Sequence, residues 1–181
     1  MKFSCLGRKA QSIWAVITFA TMVGASLAAV SAEEAAKHAS CDAPEYRQFD
    51  FWVGDWDGFE GGGTPVARLK VDKLLEGCVV HERYEGTDGH KGESFSIYDA
   101  SRKVWHQSWV TNRGELLVIE GTFHDGKMVL GGADRTADGR ERRVRGTWKV
   151  EDEAVRETAV TSVDGGKTWQ AWFDLVFRPH K

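Results

Sequence analysis

From Phe49 onward, apolar and polar positions alternate in short runs of β-branched and aromatic residues, and each run ends at Gly or Asp after about ten residues. A period of two over such lengths marks half-buried strands rather than helices. The runs predict ten strands, at 49–59, 65–74, 78–85, 93–98, 104–111, 115–123, 127–132, 142–150, 154–162 and 168–178. Helical spacing is confined to 33–38. Between the runs stand Glu76-Gly77, Asp88-Gly89, Arg113-Gly114, Asp125-Gly126 and Asp138-Gly139, placing Gly where a hairpin needs positive φ. Consecutive hairpins without a crossover helix join antiparallel neighbours, and their two edges are protected if the sheet closes. The expected fold is all-β, an antiparallel up-and-down barrel of eight to ten strands of the calycin or lipocalin kind. A sandwich is the alternative.

The first thirty residues follow a different pattern. Lys2, Arg8 and Lys9 precede an uncharged stretch over 13–30, and Val30-Ser31-Ala32 then offers small residues to a signal peptidase. This predicts a leader over 1–32 cleaved before Glu33, an N-terminal segment over 33–46 and a barrel domain over 47–181. The alternative is an uncleaved anchor, although the stretch is rich in Ala, Ser, Thr and Gly rather than Leu. Cys41 follows His38-Ala39-Ser40 and lacks the Leu of a lipoprotein signal, and Arg8-Lys9 is not a twin arginine. The expectation is export to the periplasm or beyond, with no stable membrane anchor after processing.

Composition narrows the functional classes. The chain has 181 residues, 41% hydrophobic and 28% charged, with eight Trp and nine Phe, enough for one globular core and too apolar for a disordered chain. The leader holds three basic residues and no acidic one, so its removal takes the formal net charge from -3 to -6. That balance argues against nucleic acid as a partner. Of three cysteines, Cys5 leaves with the leader, so Cys41 and Cys78 are expected to pair in an oxidising compartment. Two buried thiols are the alternative.

Two local patterns are similar to known ones. Ser162-Val163-Asp164-Gly165-Gly166-Lys167-Thr168-Trp169 resembles the Asp-box, a hairpin turn found in sialidases and many unrelated β proteins. In that motif the Asp and Ser satisfy turn backbone groups and the Trp packs beneath, which gives Asp164 and Trp169 a structural role. Gly54-x-Trp56 on the first strand is similar to the lipocalin GxW, in which the Gly permits a bend and the Trp plugs the closed end beneath a last-strand Arg. Arg178 occupies that position, and the resemblance implies that it stacks on Trp56.

The wider pattern of RQFDFWVGDWDG, LEGCVVHERY, SIYDASRKVWHQSWV and SVDGGKTWQAWFD resembles a bacterial family of secreted, calycin-like proteins without an assigned activity. These pieces cover most of 47–178. The resemblance implies the fold and carries over no catalytic residue. FDFWVGDWDGFEGGG also resembles the opening of nitrobindin-type barrels, which hold ferric haem through one His near the C-terminus; here only His180 is so placed.

Candidate chemistry comes from strand parity. On the third strand Glu82 and Tyr84 share a face with Cys78 and Val80, on the fourth Ser94, Ser96 and Tyr98 form a set, and on the fifth Trp105, Gln107 and Trp109 do. Arg145 and Thr147 are added from the eighth strand, with Glu157 a further candidate. The expected lumen is walled by indole and phenol surfaces, with Tyr84, Tyr98 and Trp109 contacting a guest and Glu82, Gln107 and Arg145 fixing it. The alternative is a solid barrel in which Glu82 and Arg145 merely pair. His81, His90, His106 and His124 show no metal-ligand spacing, Gly61-Gly62-Gly63 is a hairpin tip rather than a phosphate loop, and GxSxG is absent. The expected function is binding of a small amphipathic or aromatic molecule, with no cofactor and no metal. A cofactor-free isomerase, cyclase or hydratase using Glu82 comes second, and a haem barrel third.

Overall fold

The alternating runs become ten antiparallel strands in a computed structural model that describes residues 41–61 and 63–181. The expected leader, the helical pattern at 33–38 and Gly62 lie outside the described residues. The strands are β1 (Gly54–Glu60), β2 (Thr64–Leu74), β3 (Val79–Gly86), β4 (Lys91–Asp99), β5 (Val104–Thr111), β6 (Leu116–His124), β7 (Lys127–Arg135), β8 (Glu141–Glu151), β9 (Ala154–Ser162) and β10 (Gln170–Pro179). Each pairs with its neighbour in sequence, and β1 pairs with β10 from Trp56↔Pro179 to Glu60↔Leu175. That last pairing makes a closed barrel and rules out the sandwich. Gly77, Gly89, Gly114, Gly126 and Gly139 all take positive φ, as the turn dipeptides predict. Among the described residues no helix is long and apolar enough to cross a membrane.

The first predicted strand starts too early. Residues 49–53 form a 3₁₀ turn over Asp50–Trp52, preceded by another over Pro44–Arg47, with the amides of Trp52 and Val53 donating to the carbonyls of Phe49 and Asp50. The Phe-x-Phe alternation there imitates a strand, but Phe49 and Trp52 are both fully buried and so must point the same way, which a strand cannot arrange at that spacing. Together they plug one end of the barrel. Phe49 lies edge-on to Trp105 and Trp148, and Trp52 stacks on Trp56 and meets Phe177 at 4.9 Å. Lys73 holds the plug from outside through the Tyr46 carbonyl and Asp50.

Cys41 and Cys78 form a disulfide that ties the start of this plug to the entry of β3. The bridge closes a loop of sequence separation 37, which contributes about 3 to 4 kcal/mol in the chain-entropy account. Replacing both cysteines with Ser is expected to lower unfolding free energy by that amount in urea titrations. A loss under about 1 kcal/mol would show that the reduced chain already holds the plug.

Gly54 and Trp56 pack on each other at the start of β1. A Cβ at Gly54 would come within 2.8 Å of the Trp56 ring, so only Gly lets the indole lie against the strand, and Trp56 Nε1 donates to the Trp52 carbonyl at 3.0 Å. Arg178 departs from the expectation. It stacks on Phe59, 4.7 Å from the ring centroid, and not on Trp56. The cause is parity: Phe177 is buried inside, so Arg178 faces out with its register partner Asp57.

The Asp-box turn forms as predicted. Asp164 Oδ1 accepts the amides of Lys167 and Thr168 at 3.0 Å each, Ser162 Oγ accepts that of Gly166 at 2.8 Å, and Trp169 Nε1 donates to the Gly166 carbonyl. The Thr168 hydroxyl and amide hold the Asp164 carboxyl well below the usual range.

Candidate functional site

The plug closes only one end. On that side lie the turns between β2 and β3, β4 and β5, β6 and β7, and β8 and β9; the five other hairpins ring the opposite mouth. From that mouth a cavity of about 960 Å³ runs into the barrel, within the range that takes a drug-sized molecule. Two glycines help to keep it hollow. A Cβ at Gly92 would come within 2.3 Å of Trp109 and one at Gly146 within 2.8 Å of Trp148, so both indoles lie flat along the wall instead of projecting across the lumen.

The inner end of the cavity is polar. Glu82 on β3 is 7% exposed, and its Oε2 accepts a hydrogen bond from Ser94 Oγ at 2.9 Å. Gln107 on β5 donates from Nε2 to Ser96 Oγ at 3.0 Å. Glu157 on β9 is half-buried and lines the same cavity, on the inward face that buried Val155 and Ala159 share. Burial raises the Glu82 carboxyl to about 7, with Ser94 only partly opposing the shift. Burial raises Glu157 as well, and the neighbouring Glu82 charge adds to it. Two carboxyls that repel each other away from water hold a proton near neutrality. The buried indole N–H groups of Trp52 and Trp148 face Glu82 and Glu157 respectively, yet neither closes a hydrogen bond.

The mouth is charged but internally paired. Arg113 meets Asp88 at 2.7 Å, Arg142 grips Asp134 and lies 4.6 Å over Trp172, and His90 stands 3.5 Å from Glu115. Tyr84 and Trp109 meet edge to face just inside, 5.9 Å apart. Burial and then Asp88 raise the Tyr84 hydroxyl above its ordinary value.

Four of the six expected contact residues, Glu82, Tyr84, Gln107 and Trp109, therefore line one cavity. The other two do not. Tyr98 sits at the plugged end, edge-on to Tyr46 at 5.4 Å and tilted against Trp105. Arg145 faces outward, 4.4 Å over Trp169, where with Arg143 it borders a shallow outer groove. Arg145 therefore neither fixes a guest in the lumen, as expected, nor pairs with Glu82, as in the solid-barrel alternative, because buried Val144, Gly146 and Trp148 fix the inward parity of β8 on even numbers. Arg142 is the β8 cation that reaches the cavity. Trp148 was open to detection as well, since Gly146-Thr147-Trp148 repeats the Gly-x-Trp spacing of β1. His90, at the mouth, lies in a turn where parity gives no guide.

His180 lies away from the cavity. Its amide donates to the Asp55 carbonyl and its Nδ1 lies 2.9 Å from Asp57, beside the plugged end. Of the other histidines, His81 is bonded to Glu93 and His106 to Glu120 on the outer wall. No group of three or more His, Cys, Asp or Glu stands in reach of a metal ion among the described residues. No protein-family model matches the chain, and no curated protein matches it.

Proposed function

We propose that this protein is an exported calycin-like barrel that binds a small amphipathic or aromatic molecule in its lumen. The observation that carries the reading is the cavity of about 960 Å³, open at one end, apolar along its walls and polar at its inner end. A solid barrel would fill this space with side chains; here Gly92 and Gly146 let the Trp109 and Trp148 rings lie along the wall instead. The leader pattern over 1–32 and the Cys41–Cys78 bridge support export. The resemblance of 47–178 to secreted calycin-like proteins supports the same class.

Acid–base chemistry on the bound molecule is the second reading, favoured by one observation: a buried carboxyl at about 7 beside another titratable carboxyl, which suits proton transfer near neutral pH. The haem reading has less support, because His180 is bonded to Asp57 outside the cavity.

Titration with the neutral fluorophore N-phenylnaphthylamine tests the binding reading, since Trp109 and Trp148 would transfer energy to a bound probe. One saturable site is expected. Ala159, which is buried and lines the cavity, gives the control: Ala159→Trp fills the lumen and should weaken binding at least about tenfold. Equal binding by the two proteins would place the probe elsewhere and overturn the reading.

A further inference from the structure

We propose that the lumen's natural occupant is an organic cation, a protonated amine on an apolar or aromatic body, whose charged nitrogen is received between Glu82 and Glu157. This inference rests on the lumen-binding reading and names the class of molecule that the site takes.

The lumen holds two carboxyls that the protein leaves without a cationic partner. Glu82 and Glu157 reach one cavity from different sides of the barrel, and among the described residues no Lys, Arg or His pairs with either. Of the cavity's arginines, Arg113 pairs with Asp88 and Arg142 with Asp134, while Arg135, bonded to the Gly139 carbonyl, stands at the mouth. At the inner end a ligand carboxylate would thus meet two carboxyls and no cation, whereas an ammonium would meet two acceptors.

The walls suit the same guest. Trp109, Trp148 and Tyr84 line the same cavity as the carboxyls, Trp148 being the cross-strand partner of Glu157, and aromatic faces attract organic cations through their quadrupoles.

The two indole donors beside the carboxyls suit the same guest. Trp52 Nε1 and Trp148 Nε1, on side chains 1% and 3% exposed, are directed at Glu82 and Glu157 and favour their ionised forms, but neither closes to hydrogen-bond distance. A protonated carboxyl is a weak acceptor, and an ionised one is strong. An arriving cation would ionise the pair and strengthen both contacts.

Linkage follows. Below neutral pH the carboxyls hold their protons and a cation must displace one; above it they are already charged. The other titratable groups around the lumen are Tyr84 on β3 and, at the mouth, Glu60, Asp88, His90, Arg113, Glu115, Asp134, Arg135 and Arg142. The carboxyl variants separate the contribution of Glu82 and Glu157 from that of these mouth groups.

The test uses naphthylethylamine, naphthylethanol and naphthylacetate, which share an apolar body and differ in charge, titrated calorimetrically at about pH 8 and about pH 5.5. At the higher pH the amine is expected to bind at least about tenfold tighter than the alcohol, with the acetate weakest. Its advantage should shrink at the lower pH. Near pH 7, titrations in two buffers of different ionisation enthalpy should show proton release on amine binding, a readout on the unaltered protein. In the Glu82→Gln, Glu157→Gln double variant the amine's advantage should vanish while the alcohol still binds. Saturable binding of the alcohol as tight as the amine at about pH 8 would overturn the cation and leave the lumen reading standing. Failure of all three probes to bind would overturn both.

Discussion

Glu82→Gln should make the barrel more stable by about 3 kcal/mol near pH 8 and leave it almost unchanged near pH 4.5. The size follows from a carboxyl raised from 4.5 to about 7, at about 1.4 kcal/mol per pH unit. The sign follows from proton counting. Between those two values the folded chain holds a proton that the unfolded chain has released, so stability falls as pH rises through the window, and above about 7 the full cost of a buried charge is present. Gln keeps the shape and can still accept from Ser94, but never ionises. Glu157, also raised by burial, should behave in the same direction. The opposite slope enters only in acid, where Glu120 and Asp174, held low by Arg102 and Arg156, lose their charge. Urea titrations of both proteins across this range check the prediction. Parallel stability profiles would mean that Glu82 is solvated like a surface carboxylate.

Trp52→Ala should cost about 3 to 5 kcal/mol, the range for deleting a large buried aromatic side chain. Trp52 is 1% exposed between Trp56 and Phe177, and the neighbouring plug residues are themselves rings that cannot extend into the space. The carbonyl that receives Trp56 Nε1 belongs to the backbone and survives the substitution, so loss of that hydrogen bond adds nothing to the cost. Denaturation midpoints and probe affinity should fall together, because the same ring seals the inner end of the lumen beside Glu82. A loss under about 1 kcal/mol would show that the plug is an ornament on a barrel stable without it.

The sequence made the ten strands legible because turn chemistry and period two agree along most of the chain. At the plug, where the pattern lost its polar partner, the strand reading failed. Phe49, Phe51 and Trp52 look like strand residues because each is aromatic, and the 3₁₀ turn they form is dictated by the hole they fill, which is a property of the closed barrel and of no local window. Arg145 was misplaced for a related reason. Arg142, Arg143 and Arg145 offer both parities, and the choice is made by Val144, Gly146 and Trp148 packing inward. Arg178 fails by the same one-residue rule, since Phe177 takes the inner face. Glu82 and Gln107 were legible because they share strand faces with Val80 and Trp105, residues with every reason to be inside. The partnership of Glu82 with Glu157 was not, because β3 and β9 meet only across the lumen and their side chains share no local pattern.

The hollow lumen is the claim on which the rest depends, and diffraction from crystals soaked in a brominated naphthol tests it most directly. The bromine's anomalous signal should give one peak inside the barrel, between the indoles of Trp109 and Trp148 and above Glu82. Bromine found only on the outer walls, or a lumen filled by side chains in the unsoaked crystal, would contradict it.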